Sequence, residues 1–217
     1  MIIDRQPVNW VNWLRACLVL LLPGTLPTPS SGQGRVPLTA DSIALYQRHI
    51  GQTPGVYRYE RHYVGDVNND KRPDVVLVAQ RTQHQPGDPP GGLARRVILL
   101  LYQPNGQLRN AVYNDQVLRC TTCGGGSLVD PFVKVVFNSN LFSFVSTYGL
   151  GEKTTQVITF EFDPKRPDWW LHTISLQKFD YDAPGQATKL RPYKLLTKKE
   201  LGDVRFQDFA SKLIPAK

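Results

Sequence analysis

The familiar signatures of catalysis are missing from this sequence of 217 residues. There is no Gly-x-Ser-x-Gly elbow, no His-Glu-x-x-His helix and no Gly-Lys-Ser/Thr loop. That removes the usual residue patterns of a serine hydrolase, a zinc peptidase or a phosphate-loop enzyme. Histidine and cysteine are scarce. His49, His62, His84 and His172 lie at no metal-type spacing, and three cysteines are too few to complete a four-ligand zinc site without them. The apolar core at 16–22 is well short of the roughly 20 residues that span a bilayer, and Pro23 and Gly24 end it.

What is present is the composition of a folded domain, 41% hydrophobic and 20% charged. Arg5 and Arg15 stand ahead of the apolar core, and a stretch rich in Pro, Ser, Thr and Gly runs from 23 to 34. Together they read as a signal peptide and flexible linker over residues 1–33, followed by a single β-rich globular domain over 34–217. A short uncleaved anchor is the alternative. Export places the mature chain in the periplasm or outside the cell. Without residues 1–30 the chain loses two basic residues and one acidic one, leaving 24 minus 17, or +7. That charge favours an anionic envelope polymer or an acidic protein as partner, and the lack of a recognition motif argues against nucleic acid. A positive surface that merely keeps the protein soluble explains the same number.

The most informative segment is 65–74, Gly-Asp-Val-Asn-Asn-Asp-Lys-Arg-Pro-Asp, directly before the apolar run 75–79. Asp66, Asn68, Asp70 and Asp74 occupy positions 1, 3, 5 and 9 of a tight turn. The carbonyl of Arg72 at position 7 adds another oxygen, and the whole is a hard donor set suited to calcium. An EF-hand is excluded, because position 12 is Leu77 rather than Glu and no helical period follows. A polar turn whose Asp and Asn side chains only cap their own backbone is the competing explanation.

The segment resembles the strand-loop-strand calcium turns of FG-GAP and VCBS repeats, D-x-[DN]-x-[DN]-G-x-x-D. It departs from them at Lys71, where those families place Gly for a left-handed backbone, and Lys71 and Arg72 bring positive charge beside the ion. The resemblance therefore implies weak binding, with a dissociation constant of roughly 10⁻⁴ to 10⁻³ M. Such repeats build propellers, but this turn does not recur: in the nearest echo, 165–171, Phe160, Phe162 and Pro164 stand where ligands would be. One calcium turn in a different β fold is the expectation.

If Cys17 leaves with the signal, Cys120 and Cys123 remain as an even pair followed by three glycines. A local disulfide pinning a Gly-rich turn is the plain reading in an oxidising compartment. A redox pair would need a helix N-terminus, which the glycines disfavour, and a zinc half-site would need two further ligands.

Periodicity predicts a helix over 40–50, capped by Thr39 and ended by Gly51, with Ile43, Ala44, Tyr46 and Ile50 near one face. Strands follow at 56–64, 75–80, 96–102 and 108–113, then at 132–137, 141–148, 156–162 and 169–179. Strict alternation in the first strand puts Tyr57, Tyr59 and Tyr63 on one side and Arg58, Glu60 and His62 on the other. Pro104-Asn105-Gly106-Gln107 is a hairpin turn, and 83–92, with three prolines and three glycines, is an exposed loop. Thr197 and Glu200 have capping-box spacing, and Phe206, Phe209, Ala210 and Leu213 predict a short docked helix. The fold class is α+β, mainly antiparallel β: a meander or sandwich-like sheet with one N-terminal helix and a short C-terminal one.

Other polar features are less specific. Glu161 and Asp163, or Asp180 and Asp182, share strand faces at a spacing common on surfaces. His172, beside Trp169 and Trp170, shows no partner in sequence, which favours a satisfied strand histidine over a general base. Aromatic stripes read as core before they read as a sugar platform. Residues 120–125, 130–132, 159–162 and 168–171 resemble exported bacterial proteins that carry a D-x-N-x-D turn upstream, a resemblance that implies export and no particular activity. The expectation is an exported, non-catalytic protein with a structural calcium turn, binding an envelope polymer or protein. The alternatives are a calcium-assisted envelope glycan hydrolase and an inhibitor or immunity protein of a cell-wall hydrolase.

Overall fold

The apolar runs at 75–79 and 97–100 become the two central strands of a four-stranded antiparallel sheet, buried on both faces. In the computed structural model the described residues are 40–50, 56–86, 88, 92–125, 130–150, 152–183, 186–190 and 194–215. The expected signal peptide, Cys17 and the Thr39 cap lie outside them. The first sheet has the order β1 (Tyr57–Gly65), β2 (Asp74–Arg81), β3 (Arg95–Tyr102), β4 (Leu108–Asn114), each strand pairing with the next. Side chains alternate across a strand. Val75, Leu77 and Ala79 with Ile98 and Leu100 therefore pack on one face against Tyr46 and Ile50 of helix α1 (Ala40–Ile50). Val76, Val78, Val97 and Leu99 go to the other face and join the main core.

That main core is shared with a second antiparallel sheet, β5 (Phe132–Asn138), β6 (Leu141–Tyr148), β7 (Lys153–Asp163), β8 (Asp168–Ala183), β9 (Gln186–Leu190) and β10 (Lys194–Thr197). Its order is β10-β8-β7-β6-β5, and the long β8 also pairs with β9. Helix, sheet and sheet form three layers, which is the mainly antiparallel α+β class expected from the alternation. β9 and β10 carry no strong pattern of their own and add to the strands read from sequence.

Helix α1 also protects an edge. Strand β1 borders the first sheet, and Gln47 completes its open backbone, accepting from Tyr59 N at 3.0 Å and donating to Tyr57 O at 3.1 Å. At the opposite edge Asn110 of β4 donates to the carbonyl of His49 at 2.9 Å.

Two local expectations change. Strand β1 contains a bulge: Tyr59 pairs with Ala79 and Arg61 with Val78, leaving Glu60 as the extra residue. The bulge reverses the alternation beyond it. Tyr59 and His62 accordingly lie together beside Tyr46, with ring centroids 6.0 and 4.6 Å from it, whereas Tyr63 turns to the other face and meets Phe132 at 5.7 Å. The C-terminal tail is also not an α-helix from 206 onward. The capping box forms as predicted, with Thr197 and Glu200 closing the four-residue α2 (Lys198–Leu201). The tail then makes two 3₁₀ turns, Phe206–Asp208 and Ser211–Leu213. Its aromatics explain why: Phe206 and Phe209 are buried against Phe142, Phe144 and Phe160. The side chain of Asn114 holds the backbone there by donating to the carbonyls of Phe206 and Phe209, both at 2.9 Å.

Candidate metal centre

Gly65 and Asp74 pair at the end of the β1–β2 ladder, so residues 66–73 form a loop inside a hairpin. A Cβ at Gly65 would collide with the ring of Phe137, so glycine is what allows β5 to pack onto this hairpin end. Val67 is fully buried, and its carbonyl accepts from Trp169 Nε1 at 2.7 Å, tying the loop to the start of β8.

Inside this frame Asp66, Asp70 and Asp74 converge, each offering a carboxylate oxygen within 4.8 Å of the others. Two oxygens that each lie about 2.4 Å from one ion are separated by at most about 4.8 Å, so the spacing of these hard donors fits a divalent cation. Asp66 organises the loop, accepting from Asn68 N and Asp70 N at 3.2 Å each and from Lys71 N at 2.8 Å. Asp70 accepts from Arg72 N at 2.9 Å, from the Arg72 guanidinium at 2.8 Å and from Asn68 Nδ2 at 3.1 Å. Partial burial works against the ionised form of Asp70, but the Arg72 and Asn68 hydrogen bonds outweigh it and hold the group below the ordinary carboxylate value.

Asp74 is the structural member. It is fully buried, and its two oxygens accept from Val67 N at 3.1 Å and from Tyr102 N at 2.9 Å, joining loop, β2 and β3. Desolvation drives its pKa up to about 6; the two backbone bonds oppose that shift, and the charges of Asp70 and Asp66 reinforce it. The self-capping geometry of an Asx turn and the convergence of three carboxylates thus coexist, and a carboxylate retains lone pairs for a cation after accepting one N–H. Among the residues expected as ligands, Asn68 is connected to the cluster through both Asp66 and Asp70, and Arg72 through Asp70. Lys71 sits at φ +70°, the left-handed conformation for which the resembling families use glycine, and Asn69 at +59°.

A second buried ionic group was not legible in the sequence. Arg95 is fully buried and makes paired bonds to Glu60 (2.7 and 2.9 Å) and to Asp130 (2.6 and 2.8 Å), plus one of 3.1 Å to the carbonyl of Arg119. Arg61 joins both acids at 2.8 and 2.7 Å. The one clue was Glu60, the only acidic residue of strand β1; it is the extra residue of the bulge, and it bonds both Arg95 and the neighbouring Arg61. Burial opposes ionisation of Asp130, but the Arg95 hydrogen bonds, the Phe132 N–H and both arginine charges hold its carboxyl below the ordinary value.

The other sequence candidates fall elsewhere. Cys120 and Cys123 are disulfide-bonded, with Cα atoms 5.1 Å apart. His172 has a partner after all: Nδ1 lies 3.1 Å from Glu161 Oε2, while Asn140 donates to Glu161 Oε1 at 2.9 Å. This trio lines a recess of about 280 Å³ on the exposed side of the second sheet. Among the described residues no helix is long and apolar enough to cross a membrane. No family model, no curated protein and no solved structure matches the chain.

Proposed function

We propose that this is an exported, non-catalytic binding protein in which the 66–74 turn holds a structural calcium ion, and that the surface so fixed recognises an anionic envelope polymer or an acidic protein. The observation that carries the calcium reading is the convergence of Asp66, Asp70 and buried Asp74 in a loop already fastened to three strands. Oxygen-only donors favour a hard cation over zinc or copper. Calcium supplies positive charge to carboxylates that otherwise repel one another, and the protein's own contribution is to preorganise the loop through Asp66 and Asp74. Export is supported by the basic and apolar pattern before residue 23 and by the Cys120–Cys123 disulfide. The excess of basic residues supports an anionic partner.

Calcium titration followed by calorimetry and thermal melting tests this reading. With a dissociation constant of roughly 10⁻⁴ to 10⁻³ M, 10 mM calcium stabilises the fold by about 1.4 to 2.7 kcal/mol. The effect should vanish in Asp66→Ala and Asp70→Ala. A melting temperature indifferent to calcium in the parent protein rejects the cation. The pairing of His172 with Glu161 favours, as second reading, a hydrolase of envelope glycans; hydrolysis of such a polymer that His172→Gln abolishes would establish it.

A further inference from the structure

A cleft of about 1080 Å³ opens where the segment around residues 115–125, the end of β6 and the C-terminal tail meet. The two carboxylates among its described residues are already matched. Arg81 donates to Asp88 at 2.6 Å, and Arg96 grips Asp115 through bonds of 2.7 and 2.8 Å. Arg119 is different. Its guanidinium lies over the Tyr148 ring, 3.8 Å from the centroid, and its Nε–H is shielded from water without an acceptor among the described residues. Among the described residues, setting Arg81, Arg96 and Arg119 against Asp88 and Asp115 leaves one positive charge over, and it resides on Arg119.

The surroundings hold this arginine in place. Tyr148 is anchored beneath it by donating to the buried Gln156 at 3.2 Å. The disulfide turn is fastened to the end of β6 by the bond from Gly149 N to Gly124 O at 2.7 Å. Gly125 and Gly149, both at positive φ, allow their backbones to touch there: a Cβ on Gly125 would meet Gly149 at 3.2 Å. Val117 and Ile214 add apolar wall.

We propose that this cleft binds a monoanionic organic carboxylate, with Arg119 taking the carboxylate and Val117 and Ile214 the apolar part of the ligand. A buried N–H without an acceptor is rare in folded proteins and is satisfied by a suitable partner. A carboxylate bridging Nε and Nη is that partner, reached by a small tilt of the guanidinium off the tyrosine. One excess charge matches a monoanion, whereas a phosphate dianion would also face Asp88 and Asp115. The site depends on neither the calcium turn nor its occupancy.

The test uses the full chain with ¹⁵N-labelled arginine, titrated at pH 7 with hexanoate, hexanamide and inorganic phosphate, with and without chelator. Hexanoate should shift the Arg119 Nε–H resonance saturably, hexanamide should not, and phosphate should bind at least about tenfold more weakly than hexanoate. Chelator should change none of this. Arg119→Gln should weaken hexanoate binding by about tenfold or more, and Arg119→Lys, which keeps the charge but loses the fork, should recover only part. An Arg119 resonance unmoved by hexanoate at about 50 mM overturns the proposal. So does equal binding by Arg119→Gln, or a preference for phosphate.

Discussion

Two clusters of carboxylates, buried or half-buried, brace the first hairpin, and they are neutralised by different means. At one end of β1, Glu60 and Asp130 meet Arg95 and Arg61, two acids with two arginines, and the charges cancel within the protein. At the other end, Asp66, Asp70 and Asp74 converge with one close guanidinium, that of Arg72, paired to Asp70. Against its burial, the hydrogen bonds and charge of Arg95 hold Asp130 below its ordinary pKa, whereas burial, reinforced by like charge, pushes Asp74 up to about 6. Desolvation is common to both; what differs is whether the fold supplies the counter-charge. The 60/61/95/130 cluster is complete as folded. The 66–74 turn is preorganised but under-neutralised, and that is the physical basis for assigning it a cation.

The sharpest way to break the contrast is to remove Arg95. Arg95→Ala removes the buried member of the cluster, leaves half-buried Glu60 and Asp130 opposite Arg61 alone and should cost about 3 kcal/mol in urea unfolding, a loss that calcium does not restore. A preserved stability would show that the cluster is not held as described. Asp74→Ala orphans the N–H groups of Val67 and Tyr102 and should cost about 2–3 kcal/mol while also removing the calcium response.

Proton linkage separates the two sites by sign. Folded Asp74 holds its proton up to about pH 6, while the unfolded group releases it near pH 4, so between those values the folded state carries more protons. Its contribution to stability therefore falls as pH rises from about 4 to 6, by about 2–3 kcal/mol. Asp130 contributes in the opposite sense: its stabilisation is present above about pH 4 and is lost as pH falls through the depressed folded value. Urea midpoints from pH 3 to 7 should show the Asp74 decline in chelator, and it should be absent in Asp74→Asn. Saturating calcium should flatten it in the parent. A decline equal in both proteins would assign it to other groups. The smallest effect is expected from Lys71→Gly, which relieves the left-handed backbone at φ +70° and should add about 1 kcal/mol along with tighter calcium binding; thermal melts with and without calcium measure both.

Much of the fold was readable because its signals are local. The runs 75–79 and 97–100, the Asn105-Gly106 turn and the Thr197/Glu200 box act over a few residues, and each forms where its pattern stands. The convergence of the Asp-rich turn was legible for the same reason, since its carboxylates lie within nine residues of chain. The faces of β1 were not. One extra residue at Glu60 sends Tyr63 to the opposite side from Tyr57 and Tyr59, and single-strand alternation carries no information about a partner strand's register. The tail failed for a related reason: Phe206 and Phe209 have helical spacing, yet aromatic packing and Asn114, 92 and 95 residues away, impose 3₁₀ turns instead.

Chain order and residue type were enough to establish a mostly antiparallel protein with an N-terminal helix, a pinned cysteine turn and an oxygen-rich loop, because hydrogen-bonding period and turn chemistry act between near neighbours. Which charges would be buried, and with whom, waited on three-dimensional packing. Arg95 meets Glu60 and Asp130 across 35 residues on either side, and Arg119 stacks on Tyr148, contacts that exist only after the sheets have come together and water has been excluded.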